Sequence, residues 1–435
     1  CSSDLHKRSH RFVRGMMRSV ASLHYAQVQA AVDGRPDEKT APLLEPILKP
    51  LYAAYAALAQ AREARQPLDL ELPERKIEID DQGRVTSVAF KERLLAHRLI
   101  EDCMILANVA AAEELIRLKR PLLFRVHEEP SPQKLEGLRE VAEGAGLTLA
   151  KGQVLQTRHL NQLLSQAQGT EFDELINLST LRSMTQAYYH PENFGHFGLA
   201  LRNYAHFTSP IRRYSDLIVH RALIAGHGWG KDGLSVWDEE NLEETGKLIS
   251  EAERRSMAAE RDTTDRYLAA YLADRVGAEF SGRVSGVQRF GVFVRLDETG
   301  ADGLIPVRAL GREYFNYDEA SQTLMGSETG LTLGIGQKVT VRLSEAVPVT
   351  HTCWRARSTS RLSVRTTCWF HAGKPPTLPL PAQSASCPGF GLGEARISGR
   401  RAGAPRHRGP NQMVRACLDD GRIGPDTSHA KGFGP

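Results

Sequence analysis

The sequence predicts an α+β protein: a helix-rich body whose short strands form a mixed sheet over residues 8–275, then a small all-β barrel over residues 276–350. Three observations predict it. Apolar residues recur near every 3.6 positions through much of the body, which is the period of an amphipathic helix. From Val276 the pattern changes to apolar alternation with Gly-punctuated turns, the period of strands. Past about Val349 no period survives, so residues 351–435 are expected to be a disordered tail.

The elements come in order along the chain. Residues 1–7 begin at Cys1 and fit poorly as a lead-in to the segment after them, and are expected to be a broken edge. From Met17 to about Ala64 the spacing of Leu23, Val28, Leu44, Ile47, Leu51, Tyr55 and Leu58 predicts helix, broken at Gly34-Arg35-Pro36. Leu68 to Ile79 alternates as a strand, and Asp80-Asp81-Gln82-Gly83 turns it into a second strand, Val85 to Phe90. That aspartate pair reads as turn chemistry rather than a metal site, because Asp and Gly are what such a turn requires. Leu94 to Leu118 predicts a long helix and Leu122 to Val126 a strand, with helices and loops alternating to Ala187. Asn241 to Leu272 predicts one long helix, whose small residues Ala252, Ser256 and Ala259 would allow close approach to the body.

In the β segment, the alternation at Gly291-Val292-Phe293-Val294 places one of Phe290 and Phe293 in a barrel core and leaves the other outside. Tyr314, Phe315 and Tyr317 add aromatic surface, and GIGQKVTVRLSEA (334–346) supplies a further strand. No closing strand is expected after it.

Composition excludes several classes. Hydrophobic content of 41% and charged content of 25% are ordinary for a soluble protein, no apolar run approaches membrane-spanning length, and the first residues lack a signal-peptide layout. The net charge of +4 is unevenly placed: residues 351–435 carry +9 and the remainder −5, so bulk charge offers nothing for nucleic-acid binding and only local patches can. Cys103 alone lies inside a credible domain and reads as an inert buried thiol. Cys353, Cys368, Cys387 and Cys417 have no CxxC pairing, so neither a zinc site nor a disulfide framework is indicated, and the body is expected to be cytoplasmic.

The densest chemistry lies in NYAHFTSPIRRYSDLIVHR, Asn203 to Arg221. Pro210 fixes its own φ and biases Ser209 away from the helical region, so a helix is expected to start just after it. Arg212 and Arg213 would then sit at the positive end of that helix, where a phosphate is favoured and guanidinium forks match it. On local physics alone, a solvated helix start serves equally well.

This run, with GHFGLAL (195–201) before it, resembles the signature of the RNB-domain exoribonucleases, the ribonuclease R and ribonuclease II family. MRSVASLHYAQVQAAVDG (17–34), LIEDCMILANVAAAE (99–113), LLFRVHEEPS (122–131) and LRSMTQAYYHPENFGHFGLAL (181–201) look like successive pieces of the same domain, and 276–350 like an OB-type S1 barrel without its last strand. The resemblance implies hydrolysis of single-stranded RNA from the 3′ end to 5′-mononucleotides, with Mg²⁺ held by clustered aspartates. It assigns Arg212 to the scissile phosphate and Glu260 to orienting that arginine. It links Tyr25 and Glu101 to recognition of ribose, since a carboxylate can accept from the 2′-OH that DNA lacks. A base-stacking aromatic of relatives would fall at Leu70. Tyr204, Ser209, Arg213, Phe290 and Phe293 are further expected RNA contacts, Tyr214 and Asp216 would hold the loop, and His206 would be neutral and structural. Before residue 66 the aspartates are Asp4, Asp33 and Asp37, too widely spaced for the family's cluster, which is expected upstream of this chain. The chain is therefore expected to be a monomeric fragment of such an enzyme, without a membrane or DNA partner. The alternatives are a non-catalytic RNA-binding protein and an unstable polypeptide with an open strand edge.

Residues 351–435 are rich in Arg, Pro, Gly and Ser and read as an out-of-frame translation. Sequencing the coding DNA checks this: a one-base shift near codon 350 should restore a continuation of the barrel, and no such continuation in either frame would refute it.

Overall fold

The computed structural model describes residues 7–70, 74–152, 154–319 and 321–347, and the backbone of Arg365–Phe370. The expectations for residues 1–6 and for the tail other than 365–370 lie outside the described residues.

The body opens with α1 (Tyr25–Val32), α2 (Ala41–Leu43), a π-helical turn Leu44–Leu48 and α3 (Lys49–Arg65). Helix does not begin at Met17 as the spacing predicted. Met16, Met17 and Val20 are exposed, and an apolar stripe with no face to pack against gains little from folding into helix. A hairpin comes next, β1 (Arg75–Ile79) against β2 (Val85–Phe90), so the predicted first strand is shorter than Leu68 to Ile79. At its turn Asp80 Oδ1 accepts from the backbone N–H groups of Gln82 (3.0 Å) and Arg84 (2.8 Å), the turn role read from the sequence.

The long helix α4 (Leu95–Arg117) leads to β3 (Phe124–Val126), then α5 (Pro132–Gly144), α6 (Thr157–Ala167), α7 (Asp173–Ser183) and β4 (Tyr188–His190). α8 (Tyr214–His227), α9 (Val236–Glu240) and α10 (Leu242–Ala273) complete the body. The mixed sheet expected here resolves into two antiparallel pairs, β1–β2 and β3–β4. Two apolar clusters fill the body. One joins Leu115 of α4, Phe124 and Val126 of β3, Ile218 and Leu223 of α8, and Leu242 of α10. The other joins Leu138 of α5, Leu160 and Leu163 of α6, and Ile176 of α7, with Leu70 packed against it.

The small-residue stripe of α10 is not where the helix meets the body. Ala252, Ser256 and Ala259 are exposed. Close approach occurs two turns earlier, where a Cβ at Gly246 would lie 2.7 Å from the Tyr189 carbonyl oxygen. Ser250 completes that contact by accepting from Tyr189 N–H at 2.9 Å and donating to the Gly246 carbonyl at 2.6 Å.

The barrel comprises β5 (Glu279–Gln288), β6 (Gly291–Leu296), β7 (Asp302–Pro306), a turn of helix α11 (Val307–Leu310), a side sheet β8 (Phe315–Asp318), β9 (Thr323–Gly326) and β10 (Thr332–Gly334), then β11 (Lys338–Leu343) and β12 (Arg365–Phe370). Strand order β11-β12-β7-β6-β5 closes on itself through β5–β11. The expectation of a missing closing strand is corrected by β12, which runs parallel to β11 and antiparallel to β7. RTTCWF is rich in residues that suit strands, and the edges of β7 and β11 offer it unpaired backbone groups. On β6, Val292, Val294 and Leu296 point inward. Leu178 of α7 with Leu268 and Leu272 of α10 joins the same core, so the barrel is built onto the body.

Gly246→Ala should therefore destabilise the chain by about 1–3 kcal/mol, the usual cost of overpacking. A urea unfolding curve checks it, and an unchanged midpoint would mean that α10 is not seated on β4.

Candidate nucleic-acid interface

The Ser-Pro segment forms a turn before its helix. Ser209 carbonyl accepts from the N–H groups of Arg212 (3.2 Å) and Arg213 (3.1 Å), and α8 starts only at Tyr214, with Arg213 extended at its cap. The helix thus starts about one turn later than expected, and the arginine pair sits immediately ahead of its first residue. Two buried side chains fix this turn. Asp216, fully buried, accepts from Ser209 N–H at 2.6 Å, and from Arg213 through Nε (2.8 Å) and Nη2 (2.9 Å). Asn108 of α4 accepts from the N–H groups of Phe207 (2.9 Å) and Thr208 (3.2 Å) while donating to the Tyr204 hydroxyl (3.1 Å).

These contacts sort the expected RNA contacts. Tyr204 is buried with its hydroxyl engaged, so it supports the loop from beneath instead of meeting RNA. Arg213 gives one edge of its guanidinium to Asp216, which makes it a loop-holding residue first. Tyr214, expected to help hold the loop, is half exposed. Arg212 is exposed and has no ion-pair or side-chain hydrogen-bond partner among the described residues.

Beneath the turn lies a second layer. His206 meets the Tyr189 hydroxyl at 2.8 Å through Nδ1. Burial, followed by the charges of Arg213 and Arg125, pushes the His206 pKa down to about 2, so the ring is neutral. His196, edge-on to Tyr204, is driven down to about 3, again chiefly by burial and then by His127. Arg125 lies 4.6 Å over the Tyr189 ring and forks onto Glu253 of α10 at 2.6 and 3.0 Å.

Glu253 is thus the α10 carboxylate that reaches this cluster. Glu260 is seven residues further on, roughly 10 Å along a helix axis. It lines a cavity of about 470 Å³ with Arg75, Ile77, Ser256, Ala259, Thr263, Thr264 and Tyr267. The expected Arg212–Glu260 hydrogen bond is not formed. Asn108, Arg125 and Glu253 were missed from sequence. Asn108 carried a signal, a lone amide inside the apolar run ILANVAAA, whereas Arg125 and Glu253 looked like ordinary surface charge.

Tyr25 is half exposed at the start of α1, and Glu101 is exposed on α4. On the barrel, neither phenylalanine enters the core. Phe290 is 47% exposed and meets Phe293 edge-to-face at 6.0 Å, because Val292 and Val294 take the inward positions of β6. Phe315 is a core residue, while Tyr314 is exposed and Arg289 sits 6.0 Å over the Tyr317 ring. Leu70, at the expected stacking position, packs instead against the α5–α7 cluster.

Among the described residues no group of three or more His, Cys, Asp or Glu side chains is arranged to hold a metal ion. Asp33 accepts from Gln29, and Asp37 accepts from Gln27 and Thr40 in a turn, hydrogen bonds that hold its pKa down to about 2. None of the described helices is long and apolar enough to cross a membrane.

Residues 1–226 match the RNB domain family and residues 273–346 the S1 RNA binding domain. Ribonuclease R of Escherichia coli strain K12 is 39% identical over 348 residues, covering 78% of this chain and 43% of its own length. Ribonuclease R of Aquifex aeolicus is 37% identical over 332 residues, covering 75% of this chain and 46% of its own. The solved RNase R of Mycoplasma genitalium, in complex with ribose-methylated single-stranded RNA, superposes with a TM-score of 0.69 at 26% identity, covering 80% of this chain and 52% of that one. The chain thus spans less than half the length of these two curated relatives.

A histidine held neutral in the fold but protonated when unfolded makes the unfolded state bind more protons, so stability falls as pH drops below the ordinary histidine pKa of 6.5. Between pH 6.5 and 5 His206 and His196 should each add up to about 1.4 kcal/mol of lost stability per pH unit. Urea midpoints measured across this range check it. His206→Gln should flatten the profile, and an equally steep one would remove His206 from the account.

Proposed function

The chain belongs to the ribonuclease R-like branch of the RNB family, and from that premise we propose that it supplies the RNA-holding part of a 3′-to-5′ exoribonuclease acting on single-stranded RNA. One observation carries the reading. Arg212 projects from a turn whose backbone and neighbouring arginine are fixed by buried Asn108 and Asp216, and nothing among the described residues competes for its charge. A guanidinium carried on a held backbone with no competing partner can meet a phosphodiester with two parallel hydrogen bonds.

The other contacts extend the path. Tyr25 would stack on a base, Glu101 would accept from a ribose 2′-OH, and exposed Phe290 with half-buried Phe293 would stack unpaired bases on the barrel at about 1–3 kcal/mol each. The mononucleotide-releasing reaction of the whole enzyme uses in-line attack of water on phosphorus. The Mg²⁺ that the family implies finds no matching donor set among the described residues: Glu260 is the only acidic residue lining its cavity, and Asp33 and Asp37 are engaged by Gln29, Gln27 and Thr40. Hydrolysis is therefore assigned no step on the described residues. That mismatch favours a second reading, in which this chain binds RNA without cleaving it. Monomeric action in the cytoplasm, with no DNA partner, belongs to the same proposal.

Incubating the chain with end-labelled RNA and Mg²⁺ separates the two readings: mononucleotide release supports turnover, and retention of intact RNA in a complex supports binding alone. In either case Arg212→Ala should weaken RNA binding about tenfold and reduce the slope of log K against log salt by roughly one. An unchanged slope would take Arg212 off the phosphate path.

A further inference from the structure

We infer that Arg93 is a positioning residue that sets ribose selectivity by orienting Glu101, within a subsite built from Tyr25, His97, Glu101 and Arg93. This rests on the proposed reading that the chain holds RNA with Glu101 at a ribose. The Tyr25 ring stacks on the imidazole of His97 with centroids 4.2 Å apart and planes 30° apart. His97 is itself fixed, since its Nδ1 accepts from the Leu94 N–H at 3.2 Å in the first turn of α4. Gln29 of α1 bolts the two helices together by accepting from Ala96 N–H at 3.1 Å. Tyr25 is thus backed by a ring that cannot swing away, with its other face open to a base.

Glu101 stands four residues after His97, one turn along the same face of α4. Arg93, from the segment before the helix, donates through Nη2 to Glu101 Oε2 at 2.5 Å. Oε1 makes no hydrogen bond among the described residues. A carboxylate with one oxygen pinned by a guanidinium and the other open is an oriented acceptor, suited to the 2′-OH donor of a ribose whose base stacks on Tyr25. The ion pair has little structural purpose. Both side chains are about half exposed, at 47% and 49%, and such pairs contribute little to stability. Arg93 can therefore be removed with the fold intact.

The test uses the full chain in EDTA with single-stranded RNA and DNA oligonucleotides of one sequence, and compares the ratio of their affinities. Glu101→Gln is the reference and should lower the RNA-to-DNA ratio about tenfold, the worth of one hydrogen bond to a charged group. Arg93→Ala should lower it about fivefold or more, and Arg93→Lys, which keeps the charge and a donor but not the guanidinium fork, should restore only part of it. Equal weakening of RNA and DNA in Arg93→Ala, or a ratio unchanged while Glu101→Gln collapses it, overturns the inference and leaves the sugar-reading role of Glu101 standing. A ratio unchanged in Glu101→Gln removes that role and the inference with it, whereas the phosphate role of Arg212 is read separately from the salt slope.

Discussion

A buried carboxylate governs this molecule. Asp216 has no contact with solvent, yet it carries a charge within the first turn of α8, where the helix dipole favours one. Its oxygens take the Ser209 amide, two nitrogens of Arg213 and the Ser215 hydroxyl. A buried ion of this kind is tolerable only when its hydrogen bonds are nearly complete, and here they are. The consequence is a division of labour between adjacent arginines. Arg213 is drawn inward to neutralise the aspartate, and the turn this enforces leaves Arg212 outside. Neither position could be exchanged without leaving a charge buried and unpaired.

The same economy runs through α10. Gly246 and Ser250 seat it on β4, Glu253 reaches Arg125 beside the loop, and Leu268 and Leu272 enter the barrel core. One helix therefore registers the loop against the barrel. A polar network strengthens the far end. Asp302 of β7 meets Arg295 (3.2 Å), Arg75 of the body hairpin (3.4 Å) and Ser285 (3.1 Å), and Arg182 of α7 donates to the Ser285 carbonyl at 2.8 Å. Arg182 is buried enough to depress its pKa, so it contributes through a fixed hydrogen bond and not as a mobile surface cation.

Much of this was legible in the sequence, and the remainder has a physical pattern. Long helices such as α4 and α10 declare themselves through periodicity, and the Asp80 turn through its residue types. The Ser-Pro segment was located correctly, but its helix start was placed one turn early because Pro210 permits a helix without requiring one; the Asp216–Ser209 bond decides the matter. Contacts between distant segments left no local trace. The Arg125–Glu253 pair spans 128 residues, and either partner alone looks like solvated surface. The small-residue stripe of α10 misled because small side chains permit close approach anywhere, while the actual contact is fixed by where β4 runs. The aromatic pair on the barrel was misassigned for a similar reason. Alternation established two faces, but the inward one was claimed by Val292 and Val294.

Charge placement bears on how such a surface could attract RNA. Residues 1–350 are net acidic by five charges, which at long range would repel a polyanion. That repulsion is screened beyond about 10 Å at moderate salt, so short-range contacts decide the outcome. The neutrality of His206 matters here. A protonated ring beneath the turn would add a buried positive charge beside Arg213 and Arg125 and repel both, and burial prevents it. The exposed positive charge of the turn is thereby concentrated on Arg212, with the inner arginines compensated by Asp216 and Glu253. Attraction centred on one exposed guanidinium, carried on a turn whose backbone is held, favours a phosphate at a defined place over diffuse adhesion along the body.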